Sequence, residues 1–254
     1  MTISPNLQTL LNEIDTIKKQ VDAHRPLNKE ALAKLYEYLD VEYTYNSNAI
    51  EGNTLSRMET MLVLKHGQTI GGKPLKDHLE AINHQQAILY IRDIFSKIEP
   101  ITERDVKYLH SLILKSINDR YAGNYRDIEI YISGSKTELP KPAEVPTQMA
   151  EFSQWLVDRQ ENQDLHPVIL AAQAHYRLVK IHPFVDGNGR VSRLLMNLIL
   201  LKYGYFIAIV DNDQREDYYR ALQAADQGDL SLFENIIAGY VKATAGKYLG
   251  IIPS

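Results

Sequence analysis

The sequence predicts an all-α fold of about ten helices with a single β-hairpin. Apolar residues recur at helical spacing along most of the chain. One stretch alone, Ile128-Glu129-Ile130-Tyr131-Ile132, is β-branched and alternating. No internal repeat, low-complexity tract or flexible linker interrupts the 254 residues, and 44% of them are hydrophobic, enough for a sizeable core.

The elements follow in order. Leu7, Leu10, Leu11, Ile14, Ile17 and Val21 make one helical stripe. After Pro26, Leu32, Leu35, Leu39, Tyr43 and Ile50 make a second, starting near Asn28 and ending at Gly52 or Asn53, either of which can cap a helix C-terminus. Arg57–His66 reads as a short helix. Gly71, Gly72 and Pro74 form a loop before a long helix over 75–98. Thr102 is the expected N-cap of a helix over 103–117. Next comes the alternating segment, with Ser133-Gly134-Ser135 as a turn and a return through Pro140, Pro142 and Pro146, a hairpin spanning 128–142. Helices are expected over 145–159, 168–181, 188–203, 213–226 and 230–249, with Asp211 to Asp213 capping the fourth of these and Trp155 in the core.

Composition narrows the function. A net charge of −4 and a pI near 6.1 argue against a nucleic-acid or anionic-membrane partner. There is no cysteine, hence no disulfide framework and no thiolate metal site. Met1 opens a polar segment unlike a secretory signal, and the longest apolar cluster, Leu194 to Leu201, is too short to span a bilayer. The expectation is a cytoplasmic protein without membrane contact, with a homodimer open.

The chemistry is concentrated in His182-Pro183-Phe184-Val185-Asp186-Gly187-Asn188-Gly189-Arg190-Val191-Ser192-Arg193. A helix delivers His182, and Pro183 stops it. Phe184 anchors the loop. The glycines permit positive φ and close approach of a ligand to the backbone. The next helix starts near Asn188, and its first N–H groups, without intrahelical partners and at the positive end of the dipole, form a phosphate site. Arg190 and Arg193 share a face and offer planar forks to phosphate oxygens. Asp186 is a hard oxygen ligand of the kind magnesium takes beside substrate phosphates. His182 is positioned to accept a proton from an attacking hydroxyl. These parts suit attack at a phosphorus of a magnesium-bound polyphosphate.

With every fixed position filled, this stretch resembles the Fic signature, His-x-Phe-x-Asp-Gly-Asn-Gly-Arg-x-x-Arg. The resemblance implies a Fic-type helical bundle with a β-hairpin flap, and transfer of AMP from Mg-ATP to a Ser, Thr or Tyr hydroxyl of a target protein. It implies His182 as general base and Asp186 as magnesium ligand. Gly187, Asn188 and Gly189 would form the anion hole, and Arg190 and Arg193 would hold the β- and γ-phosphates. The 128–142 hairpin resembles the flap that registers an extended target segment by strand addition, and Gly123-Asn124-Tyr125-Arg126 before it also looks family-like. Lys141 separates Pro140 from Pro142 where a Pro-Pro pair is common, so target preference does not carry over.

Ser47-Asn48-Ala49-Ile50-Glu51-Gly52 resembles the inhibitory motif of Fic proteins, Ser/Thr-x-x-x-Glu-Gly/Asn. From the residues alone, Ser47 and Glu51 share a face, and a carboxylate at the negative end of a helix dipole wants a cationic partner. The resemblance makes that partner Arg193. It also divides the chain into 1–70, carrying the inhibitory helix, and 71–254, the catalytic core. Tyr218, Tyr219 and Asp226 fall where relatives place adenine-site residues. Asp226 stands where Asn is common, and an ionised aspartate accepts from the exocyclic amine without donating to a ring nitrogen.

Two other readings within reach are removal of AMP from a modified protein, with Glu51 orienting water, and a non-catalytic nucleotide-binding module. Intact His182 and Asp186 argue against the module, which needs neither a base nor a metal-grade carboxylate. A zinc hydrolase built on His175, His182 and Asp186 lacks the His pair at i, i+4, and His175 is expected to be packed behind the site.

Overall fold

The computed structural model describes residues 4–97, 99–131 and 137–252. Among them are ten α-helices: α1 Pro5–Ala23, α2 Lys29–Ala49, α3 Arg57–His66, α4 Leu75–Ile94, α5 Glu103–Leu114, α6 Val145–Asn162, α7 Pro167–Ile181, α8 Asn188–Lys202, α9 Arg215–Asp226 and α10 Ser231–Leu249. Local chemistry sets their ends. Ser4, Asn28 and Ser56 accept from amides of the first turn of α1, α2 and α3. The Thr102 amide donates to Asp105 at the start of α5, and Asp211 accepts from the Asp213 amide in the short 3₁₀ turn ahead of α9.

The centre of the molecule is α8. Twelve of its fifteen residues are buried, including Arg190, Ser192, Arg193 and Asn197. Helix α7 packs along it, α5 and α4 cover one side, and α2 crosses its N-terminal half. Helix α1 packs on α10, and residues from both join the same continuous apolar core as Leu194, Leu198 and Phe184. Burying a helix on every side fixes its N-terminus in space, which is what a positional anion site needs.

Two expectations are not met among the described residues. Among the described residues there is no strand: 129–131 and 137–141 carry no ladder. The Arg126 guanidinium reaches the carbonyls of Ile128 and Pro140 instead, so a side chain bridges the two arms, and the prolines have no N–H to donate. The expected turn at Ser133-Gly134-Ser135, with Ile132, lies outside the described residues. Trp155 is half-buried rather than core, roofed by the Arg177 guanidinium 4.2 Å from its ring.

Candidate functional site

Helix α7 ends on its last apolar residue, and His182 turns the chain with φ 50° and ψ 58°. A left-handed conformation is costly for a residue with a Cβ and must be held by its surroundings. Arg126 supplies the restraint: its Nε donates to the His182 carbonyl at 2.9 Å, and its amide donates to that of Pro183 at 2.9 Å. The imidazole folds back so that Nδ1 lies 3.2 Å from the Val179 carbonyl. A carbonyl only accepts, so Nδ1 carries the proton and Nε2 keeps its lone pair. Burial pushes the His182 pKa down, Arg126 adds to this, and the Val179 carbonyl, Glu51 and Asp186 oppose it without overcoming it.

Phe184 is fully buried and stacks on His110 at 3.6 Å. The Asn188 side chain closes the loop, accepting from the Phe184 amide and donating to its carbonyl. Asn188 can therefore serve an anion only through its backbone. Gly187 has φ 81°, and a Cβ there would also press on Ile113 at 3.3 Å. The first intrahelical bond of α8 runs from the Val191 amide to the Gly187 carbonyl. The amides of Asn188, Gly189 and Arg190 come before it and are the helix's unspent donors.

The Asp186 side chain is about half-exposed. One carboxylate oxygen accepts from the Gly187 amide at 2.6 Å and from Arg190 at 3.1 Å, and the other lies 3.8 Å from Lys76 Nζ. Burial opposes its ionisation, but Arg190, the Gly187 amide and Lys76 outweigh that and hold the carboxyl below its usual range. Arg190 is 1% exposed and donates to Glu80 of α4 at 2.9 Å. Its guanidinium braces Asp186 and Glu80 together.

Arg193 is also 1% exposed. Its Nε donates to Ser47 Oγ at 3.0 Å, and one terminal nitrogen donates to the Ser47 carbonyl at 2.8 Å and to Glu51 at 2.7 Å. Burial alone would lower its pKa, but Glu51 and Tyr218 raise it. Gly52, at φ 94°, ends the helix: its amide bonds the Ala49 carbonyl and that of Asn53 bonds Asn48, a Schellman arrangement that delivers Glu51 to Arg193. The Glu51 carboxylate rests against Gly189, where any Cβ would collide with it. It thus lies against the first turn of α8.

A cleft of about 380 Å³ opens from this point, within the usual range for small-ligand sites. Its lining includes Glu51, His182, Gly189, Arg193, Tyr218, Tyr219 and Asp226. Tyr218 is buried and its hydroxyl bonds His175 Nε2 at 2.9 Å, while Tyr219 carries Arg215 over its ring at 5.1 Å. The Asp226 carboxylate accepts from Thr137 at 2.8 Å and from Tyr176 at 3.1 Å. Asp186 and Arg190 are not part of this lining but form an ion-pair network with Glu80 and Lys76. His175 packs behind Tyr218 instead of joining His182, and among the described residues no cluster of three His, Cys, Asp or Glu side chains could hold a metal.

Glu80, Lys76, His110 and Tyr176 escape a motif-based reading, and Arg126 stands out only as part of a family-like stretch without a role. One signal was present in α4, whose inward positions carry Asp77, Glu80, Asn83 and His84 beside Ala81, Ala87 and Ile88. Buried polar residues on an otherwise apolar face mark a helix that serves a network.

The sequence pattern of the Fic/DOC family matches residues 100–200. The chain is 39% identical over 209 residues to "Protein adenylyltransferase Fic" of Drosophila grimshawi, covering 82% of this chain and 42% of that protein. It is 34% identical over 246 residues to the protein of that name from Nematostella vectensis, covering 95% and 56%. The chain thus spans about half the length of these curated relatives. Among solved structures, Fic-1 (residues 134 to 508) of C. elegans superposes with a TM-score of 0.85 at 30% identity, covering 96% of this chain and 72% of that one. A Fic domain containing signaling protein of Bacteroides thetaiotaomicron gives 0.84 at 28% identity, covering 98% and 100%. With the signature loop, the helical frame around α8 and these likenesses together, the chain belongs to the Fic/DOC family.

Proposed function

We propose that the protein is an adenylyltransferase that moves AMP from Mg-ATP to a Ser, Thr or Tyr hydroxyl of a target protein, and that Glu51 holds it off. The name carried by the curated relatives supports the reaction type. The observation that carries the reading is the sharing of one cleft by the His182 imidazole, the α8 amides at Gly189 and the Glu51–Arg193 pair. His182 Nε2 takes the proton of the attacking hydroxyl. The amides of Asn188, Gly189 and Arg190 receive the negative charge that builds on the α-phosphate oxygens. Arg193 holds the distal phosphates once Glu51 releases it, and Tyr218, Tyr219 and Asp226 line the end of the cleft that takes the base.

The donor set suits magnesium. Asp186 presents one oxygen with no hydrogen bond shorter than its 3.8 Å approach to Lys76, and a single carboxylate with phosphates and water is an ordinary magnesium environment. Bound there, the ion would neutralise phosphate charge. Arg190 fixes the direction of Asp186, so its first role is bracing. Residues 1–70 act as the regulatory part and 71–254 as the catalytic core, and a target segment docks along the 128–142 arms.

Incubating wild type, Glu51→Gly, and Glu51→Gly with His182→Ala with labelled ATP and a protein lysate tests the proposal. Label should enter protein with Glu51→Gly alone; no label with any variant overturns it. A second reading, release of AMP from a modified protein, is favoured by the position of Glu51, whose carboxylate lines the same cleft as His182. It predicts that Glu51→Gly loses that release.

A further inference from the structure

We propose that His110 is a positioning residue that sets the backbone of Asp186 and thereby the metal-binding carboxylate; this rests on the assignment of Asp186 above. His110 lies on α5 and does not line the cleft. Its ring is bonded at both nitrogens. The Gly123 amide donates to Nδ1 at 2.9 Å, so Nδ1 is an acceptor and Nε2 carries the proton. Nε2 lies 3.0 Å from the Asp186 carbonyl and donates to it.

The ring cannot shift within this frame. Phe184 stacks on one face with planes 7° apart. The Gly187 turn lies beside its edge: a Cβ there would sit at ordinary van der Waals distance, 3.6 Å and 3.7 Å, from two ring atoms. Gly123, at φ 76°, is pressed on α5 in the same way: a Cβ would meet the Lys107 carbonyl at 3.2 Å and Ser111 at 3.3 Å. That close approach brings its amide to His110.

The consequence reaches the carboxylate. Asp186 Oδ1 is taken by the Gly187 amide and Arg190, which leaves Oδ2 as the outward oxygen. Its direction depends on the Arg190 brace and on the Asp186 backbone, and among the described residues His110 is the one side chain bonded to that carbonyl. Three residues after Gly123, Arg126 bonds the carbonyls of His182 and Pro183. One short loop therefore sets both ends of the signature: the base through Arg126 and the carboxylate through His110. Neutral histidine supplies an acceptor toward Gly123 and a donor toward Asp186 on one flat ring that also stacks on Phe184.

The test uses a Glu51→Gly background with three further variants. His110→Phe keeps the stack on Phe184 and loses both hydrogen bonds. His110→Gln keeps a donor near the Asp186 carbonyl. Asp186→Asn is the control for the metal assignment. Three quantities are measured: the Mg²⁺ concentration for half-maximal AMP transfer, AMP affinity by calorimetry in EDTA, and hydrogen exchange at the Gly123 and Gly187 amides without nucleotide or metal. His110→Phe should raise the Mg²⁺ requirement about 10- to 100-fold, the usual scale for losing an outer-shell partner. It should speed exchange at both amides and leave metal-free AMP affinity within about twofold. His110→Gln should recover most of the Mg²⁺ requirement. An unchanged Mg²⁺ requirement in His110→Phe, while Asp186→Asn shifts it, overturns the role of His110 alone. No shift in Asp186→Asn overturns the metal assignment and this role with it. Should His110→Phe not fold, a His110→Gln variant whose Mg²⁺ requirement and Gly187 exchange match wild-type His110 supports the role, and one shifted in AMP affinity instead refutes it.

Discussion

Replacing Glu51 by glycine should convert a nearly silent chain into an active one. Glu51 contributes two things to the resting state: a 2.7 Å hydrogen bond to Arg193, and a carboxylate lying against Gly189 in the first turn of α8. Opposite charges about 4 Å apart attract by roughly 4 kcal/mol at an effective dielectric of about 20. Arg193 is 1% exposed but the Glu51 side chain is 29% exposed, so part of that is screened and about 2–3 kcal/mol remains, below the full cost of a buried pair. At about 1.4 kcal/mol per tenfold, that corresponds to roughly 30- to 100-fold in occupancy of a competing phosphate. Arg193 should not collapse when Glu51 is gone, because Ser47 still takes its Nε and one terminal nitrogen. The gain in AMP transfer should therefore be on the order of 10²-fold, and adding Arg193→Ala should cancel it. Incorporation from α-labelled ATP, including self-modification, measures all three proteins. Equal rates for wild type and Glu51→Gly would refute the electrostatic argument, and an undiminished rate in the double variant would refute the part given to Arg193.

Four further outcomes are expected on the Glu51→Gly background. His182→Ala should keep nucleotide binding, seen by calorimetry, while transfer falls about 10²- to 10⁴-fold. Because burial lowers the His182 pKa, the imidazole stays neutral to more acidic pH than a free histidine, and protonation removes the base only below that point. The acid limb of the pH–rate profile should therefore lie below about 6.5 and vanish in His182→Ala; a limb above that value contradicts the buried, Nδ1-bonded ring. Asp186→Ala should abolish transfer together with its Mg²⁺ dependence, and a metal titration unchanged in residual activity would exclude Asp186 as ligand. Gly189→Ala places a methyl group where Glu51 rests, in the space the phosphate needs. A misfit of about 1–3 kcal/mol should weaken ATP binding roughly 5- to 100-fold, and unaltered affinity would show that the phosphate does not approach this Cα.

Most helix boundaries were legible because local rules set them. Arg57–His66 is bounded by Ser56 and Gly67, a cap at each end, and the helix lies where the sequence puts it. Helix α4 stops at Ile94, its last buried residue, rather than at 98, and helix ends vary by such amounts. The hairpin reading rested on β-branched alternation, a propensity that depends on having a partner strand. Arg126 and the prolines decide otherwise for the described arms.

What the sequence by itself determined is the inventory: a base, a carboxylate, a glycine-opened helix start and two arginines within twelve residues, and a Ser47–Glu51 segment needing a cation. These are short-range facts, fixed by residue type and the geometry of one turn. Only the tertiary structure decided how each is used. Arg190 and Arg193 look equivalent three residues apart, yet Glu80 from α4 claims one and α2 claims the other. Asn188 turns inward on Phe184, His182 takes its tautomer from Val179 and its backbone from Arg126, and His110 reaches Asp186 across 76 residues. Those assignments depend on which helices cross at α8, and contacts between residues distant in the chain leave no periodicity for a sequence to display.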